Sequence, residues 1–330
     1  MTSPETGGSP AARTVVEAED ALARVGASVR ELRELLGALL DEGRGYVVGS
    51  LAAGLGNRGS DIDVIVLCER RSSEAPMMFF LRDTSVDLQY YNAGDPARIV
   101  SALPGERVPL ATGWCALGCA PTMTEQRRIG RWLNASPIDP AFPDLFDPVA
   151  VPVVEAALVR GAVEGLVLKT FAARIIGAAG RPSAAAWRRA GRALVEVLAR
   201  AAGELFIGEK WIVARAVRAG LDPGLAQRAF NCDSERELRE IHSMAGLSAL
   251  AEPGAVALRA AEGLERLELG ATTWTLVGGR RVVPCDPAEA RPDVIEMGSA
   301  ATIVDALAEG LVVPVVDRSA LDEGVRACAA

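Results

Sequence analysis

The stretch "GSLAAGLGNRGSDIDVIVL", Gly49 to Leu67, decides how this chain is read. Asp61 and Asp63 stand one residue apart at the head of an apolar run. In a strand, side chains two residues apart point to the same side. Two carboxylates that close repel, and without a counter-charge one of them takes up a proton. Turn capping, or pairing with Arg58 and Arg82, is the structural alternative. A divalent cation resolves the conflict more fully, because Mg²⁺ takes hard oxygen ligands and bridges carboxylates to phosphates. A third acid, Asp87 in "TSVDLQYY", falls on a strand expected to neighbour the first, about 4.8 Å away. Ahead of the acids, Gly49 ends a strand and permits close backbone approach. Ser50 then opens a short helix whose hydroxyl and free N–H groups suit a phosphate oxygen. Three acids around one or two metals is an arrangement suited to in-line phosphoryl transfer.

Gly-Ser, ten intervening residues, Asp-Ile-Asp and a later acid-bearing strand together resemble the signature of the DNA polymerase beta-like nucleotidyltransferase superfamily. The match lies closest to its small-molecule, aminoglycoside-type branch. The resemblance implies an α+β fold: a nucleotidyltransferase-type catalytic domain, its mixed sheet packed on helices, followed by a helical bundle. It implies that Asp61 and Asp63 hold two Mg²⁺ ions. Asp87 would hold the catalytic ion and help deprotonate the acceptor, and Gly49 and Ser50 would bind the β- and γ-phosphates. Lys210, in "ELFIGEKWIVARAV", resembles a lysine that reaches the triphosphate from the second domain. Lys169 is a second candidate and Arg58 a third. Gln89, Tyr90 and Tyr91 are candidates to line the acceptor or base pocket, with at least one expected in the core. The implied reaction moves a nucleoside monophosphate, AMP from ATP, to an oxygen of a small molecule and releases pyrophosphate. The acceptor would be an antibiotic or a biosynthetic intermediate. Transfer of AMP onto a protein, or nucleotide binding without catalysis, are the alternatives.

Composition sets the bounds. The 330 residues carry a net charge of −8, half are hydrophobic and 24% are charged. The acidic balance argues against gripping a nucleic-acid backbone and for a small acceptor. No run reaches the roughly 18 apolar residues of a membrane span, and "MTSPETGGSPAAR" lacks a signal pattern. No membrane partner is expected, and a cytoplasmic location is. The six scattered cysteines suit reduced thiols, with Cys115 and Cys119 expected in the core. The single histidine, His242, is expected on a helix surface. Only two of the 35 basic residues are lysines, so a retained lysine hints at a position wanting a compact ammonium.

Along the chain the expectation is a disordered tail at 1–13, a catalytic domain at 14–140, a helical domain at 141–268 and a small C-terminal α/β module at 269–330. That last module reads as winged, or as a hairpin plus helix, with the hairpin turning at Gly278-Gly279. Helical spacing runs from Val15 to Leu40, and nearly everything from 149 to 265 reads as helix.

Overall fold

The computed structural model describes residues 15–329 apart from 71, 74, 252, 253, 263, 270, 271, 278–280 and 284–298. The expected tail at 1–13 and the turn at Gly278-Gly279 lie outside the described residues.

The helical run after Val15 is divided into three helices: α1 (Ala18–Ala23), α2 (Val29–Leu36) and α3 (Ala38–Asp41). Gly26 and Gly37 take φ of 74° and 49° between them, a conformation that ends a helix. Ser28 restarts the chain by accepting a hydrogen bond from the Glu31 amide. Leu22, Leu32 and Leu36 supply the buried stripe.

Strand β1 (Arg44–Val48) leads into the one-turn helix α4 (Gly49–Ala52), and β2 (Ile62–Cys68) follows. Next come β3 (Met77–Leu81) and β4 (Thr84–Asn92), then α5 (Asp95–Ala102) and a hairpin of β5 (Arg107–Leu110) with β6 (Gly113–Ala116). Helix α6 (Met123–Leu133) precedes the short β7 (Ser136–Pro137). The main sheet has the order β3-β4-β2-β1-β7. Its β2–β4 pair is parallel and its other pairs are antiparallel, so the sheet is mixed and the fold α+β.

Alternation sorts the strands onto two cores. Ile62, Val64 and Val66 of β2 join Val86, Leu88 and Tyr90 of β4 in a cluster with α1 and α2. On the opposite face Tyr46, Val48, Ile65 and Leu67 pack against Ile129, Trp132 and Leu133 of α6. Asp63 and Asp87 belong to this second face by their position in the alternation.

Two long helices follow, α7 (Val151–Ala178) and α8 (Ala184–Ala201). By contact density the chain divides into two compact units, one running to Gly161 and taking in Leu198–Leu221, the other comprising Ala162–Val197 and everything from Asp222. The first unit includes α9 (Ile212–Arg218); the second includes α10 (Pro223–Asn231) and α11 (Glu235–Met244).

The helical reading to 265 is corrected beyond α11. Val256–Ala260 is a strand, β8, because its antiparallel partner β12 (Val312–Val316) buries Leu258 against Val312 and Ala306. Three further strands, β9 (Leu264–Leu269), β10 (Thr272–Val277) and β11 (Arg281–Val283), form an antiparallel sheet of their own. The serine-started, glycine-stopped helix is α12 (Ala300–Glu309), capped by Ser299 and ended by Gly310 at φ 76°. A final helix, α13 (Arg318–Ala329), follows β12. Among the described residues no helix is long and apolar enough to cross a membrane.

His242 lies on α11 but is fully buried, not on its surface, because it shares the inward face with Leu238 and Ile241. Neither ring nitrogen has a hydrogen-bond partner. Burial lowers the imidazole pKa to about 4, with the Leu247 backbone opposing the shift and the Arg174 charge adding to it. The folded protein therefore holds this ring neutral while the unfolded chain protonates it near 6.5. Stability is complete above about pH 6.5 and falls by about 3 kcal/mol as the pH drops towards 4. Urea denaturation at a series of pH values is expected to show that loss, and His242→Leu to remove most of it.

Candidate active site

The parallel β2–β4 register sets Asp63 directly beside Asp87, with Ile65 beside Gln89 and Leu67 beside Tyr91 in the next two rows. Paired side chains point the same way on strands about 4.8 Å apart. On its other side Asp63 faces Val48, the last residue of β1. Asp61 is exposed just ahead of β2.

Glycine is required at 49 on two counts. Its φ is 76°, and a β-carbon there would collide with Oδ2 of Asp63. The turn after β1 thus lies against the carboxylate, with Ser50 buried behind it.

The electrostatics of the row centre on Asp63. Burial pushes its carboxyl pKa up; the Arg131 guanidinium pulls it back, and Asp87 and Asp61 push it up further. Burial and like charge outweigh the single guanidinium beside it. Arg131, from α6, donates a hydrogen bond to Asp63 Oδ1 and forms its ion pair. Ser85 reaches Asp87 Oδ1 at 3.4 Å. As the side chains are placed, no three acidic, histidine or cysteine residues among those described are close enough to enclose a metal. The donor chemistry nevertheless suits a hard divalent ion: three carboxylates at one strand end, with a guanidinium taking the cationic place at Asp63.

The segment bearing Lys210 is not one helix. Glu209–Trp211 is a 3-10 turn ahead of α9, and Lys210 is exposed, its ammonium 5.3 Å from the centre of the Trp211 ring. Arg218 of α9 anchors that segment. It forms a two-pronged ion pair with Glu204, and its Nη1 donates to the Ala53 carbonyl at the end of α4 at 2.6 Å. Arg58 is exposed in the Asn57–Ser60 turn. Lys169 is exposed on α7, in the second compact unit.

Of the three residues after Asp87, Tyr90 is core, its hydroxyl donating to the Leu39 carbonyl. Gln89 and Tyr91 instead line a cavity of about 250 Å³ with Ile65, Thr124, Arg127, Arg128, Arg131 and Trp132. Tyr91 donates to Gln89 at 2.7 Å. Burial raises the Tyr91 phenol above its usual range, against the pull of Arg128 and Arg131, so it serves as a neutral hydroxyl. The α6 arginines are functional candidates that sequence reasoning missed. Their signal was "TMTEQRRIGRW", in which Thr122 and Glu125 form a capping box and residues 124, 127, 128 and 131 fall on one helical face.

On the outer side of β4, Met78 is paired with Asp87 and Phe80 with Ser85. Both apolar side chains are exposed, at 65% and 63%.

The mixed sheet thus presents two paired acids beside a tight glycine-serine turn. Residues 29–106 match the family model described as "Nucleotidyltransferase domain". The chain therefore carries a nucleotidyltransferase domain, consistent with the polymerase beta-like superfamily, and the match takes in Gly49, Ser50, Asp61, Asp63 and Asp87. No curated protein gives a significant match to the chain.

Proposed function

We propose that the protein is a metal-dependent nucleotidyltransferase that moves AMP from ATP onto an oxygen of a small molecule. The observation that carries this reading is the register of Asp63 with Asp87 beside a turn that only glycine can make. Asp61, Asp63 and Asp87 would hold Mg²⁺, which when bound neutralises the triphosphate and the departing pyrophosphate. Gly49 and Ser50 bind the β- and γ-phosphates, and Lys210 and Arg58 add positive charge there. Asp87 takes the proton of the acceptor hydroxyl as that oxygen bonds to the α-phosphorus and the bond to the bridging oxygen breaks. Arg131 balances the charge of Asp63.

The net charge of −8 favours a small acceptor, an antibiotic or a biosynthetic intermediate, over nucleic acid. Three arginines beside the acids disfavour a polycationic acceptor such as an aminoglycoside.

Calorimetric titration tests the reading. Mg²⁺-dependent ATP binding is expected in the wild-type chain and lost in Asp61→Ala and Asp63→Ala. Binding that ignores both substitutions would sink it.

A further inference from the structure

The cavity over the second and third rows has a function of its own. We propose that it holds an anionic group, a phosphate ester or a carboxylate, on the molecule that accepts the nucleotide. The proposal rests on the nucleotidyltransferase reading and names the chemistry of its acceptor.

Position is the first argument. Asp63 and Asp87 form one row; Ile65 and Gln89 form the next, about 7 Å further along the strands. The Gly49-Ser50 turn lies off the other end of the row, at the start of β2. The paired acids therefore stand between the turn and the cavity. In-line displacement requires the incoming oxygen to enter opposite the leaving pyrophosphate. With the pyrophosphate at the turn, the acceptor comes from the cavity side.

Charge is the second. Arg127, Arg128 and Arg131 crowd one face of α6, where like charges repel. Arg131 is paired with Asp63, but no carboxylate lies within ion-pair distance of Arg127 or Arg128 among the described residues. Glu125, one turn before Arg128, feels its charge without forming an ion pair, because its carboxylate accepts from the backbone amide and hydroxyl of Thr122. The chain as a whole is acidic, so two unpaired guanidinium groups lining one concavity are not general surface composition.

Preorganisation is the third. The Arg128 guanidinium lies 4.9 Å from the Tyr91 ring centre and 5.8 Å from that of Trp132. Those rings meet edge to face at 5.1 Å. Arg128 is thus held in place beside two fixed aromatic rings and the Tyr91 phenol, and its remaining N–H groups suit hydrogen bonds to an oxyanion. A volume of about 250 Å³ holds the anionic group and a few attached carbons.

The test is calorimetric titration of inorganic phosphate, and separately of acetate, into the full chain saturated with a non-hydrolysable ATP analogue and Mg²⁺. One of the two anions is expected to bind alongside the nucleotide; phosphate indicates a phosphate ester and acetate a carboxylate. Arg127→Gln/Arg128→Gln is expected to weaken that binding at least about tenfold. Arg127→Lys/Arg128→Lys should restore part of it, since a point charge keeps the attraction but not the fork. Arg127→Gln alone alters an exposed side chain, so a several-fold loss there excludes misfolding as the cause. If nucleotide displaces the anion, the cavity seats the triphosphate and the proposal is overturned. Failure of both anions to bind overturns it too. Absence of nucleotide binding overturns the transfer reading instead, and the assignment to an acceptor falls with it.

Discussion

Asp63→Asn is expected to cut pyrophosphate release from ATP, assayed with a small-molecule extract, at least about a thousandfold, some 4 kcal/mol of transition-state stabilisation. Asn keeps the shape of the side chain and removes its charge. The loss is large because Asp63 is the most central of the three acids: Asp87 is beside it, Asp61 precedes it and the Gly49 turn lies against it. Folding is expected to survive. The charge is already opposed by burial and by two neighbouring carboxylates, and its ion pair with Arg131 is partly exposed, so little stability depends on it. A melting temperature within a few degrees of wild type, together with the collapse in turnover, separates a chemical role from a structural one. Turnover within about tenfold of wild type would remove Asp63 from the mechanism.

Gly49→Ala is expected to damage both fold and activity. Left-handed backbone costs a residue with a β-carbon about 1–2 kcal/mol. The new methyl also meets the Asp63 carboxylate, and forced overpacking costs about 1–3 kcal/mol. Urea denaturation should register a destabilisation of about 2–5 kcal/mol. Relief of the collision moves either the turn or the acid, so turnover falls even in the folded fraction. The same substitution in an Asp63→Ala background is expected to cost at least about 1 kcal/mol less, because the oxygen in its path is gone. Strict additivity would mean that the collision is not what makes glycine necessary.

The shared face of Asp63 and Asp87 was legible because both facts behind it are local: strand alternation, and apolar runs long enough to be neighbours. The core role of Tyr90 against the cavity role of Gln89 and Tyr91 follows from the same period of two. Helix α6 was not legible as a site element. No motif marks its arginines, and only the packing of Ile129, Trp132 and Leu133 on the sheet brings their face over β2 and β4. His242 failed similarly, since a lone polar residue at helical spacing does not disclose which way its helix faces. Residues 256–260 were misjudged because the partner that makes them a strand lies some fifty residues later. The helix breaks at Gly26 and Gly37 depended on backbone angles that glycine permits without demanding.

The parallel pairing of β2 with β4 carries a consequence for how this chain tolerates change. Asp87 shares a face with Gln89 and Tyr91 because its offsets from them, two and four positions, are even. One residue inserted within β4 would turn the acid into the apolar core and bring Val86 or Leu88 out in its place. An inserted residue is therefore expected to be borne by the connections and not by these two strands, where position parity matters as much as side-chain identity.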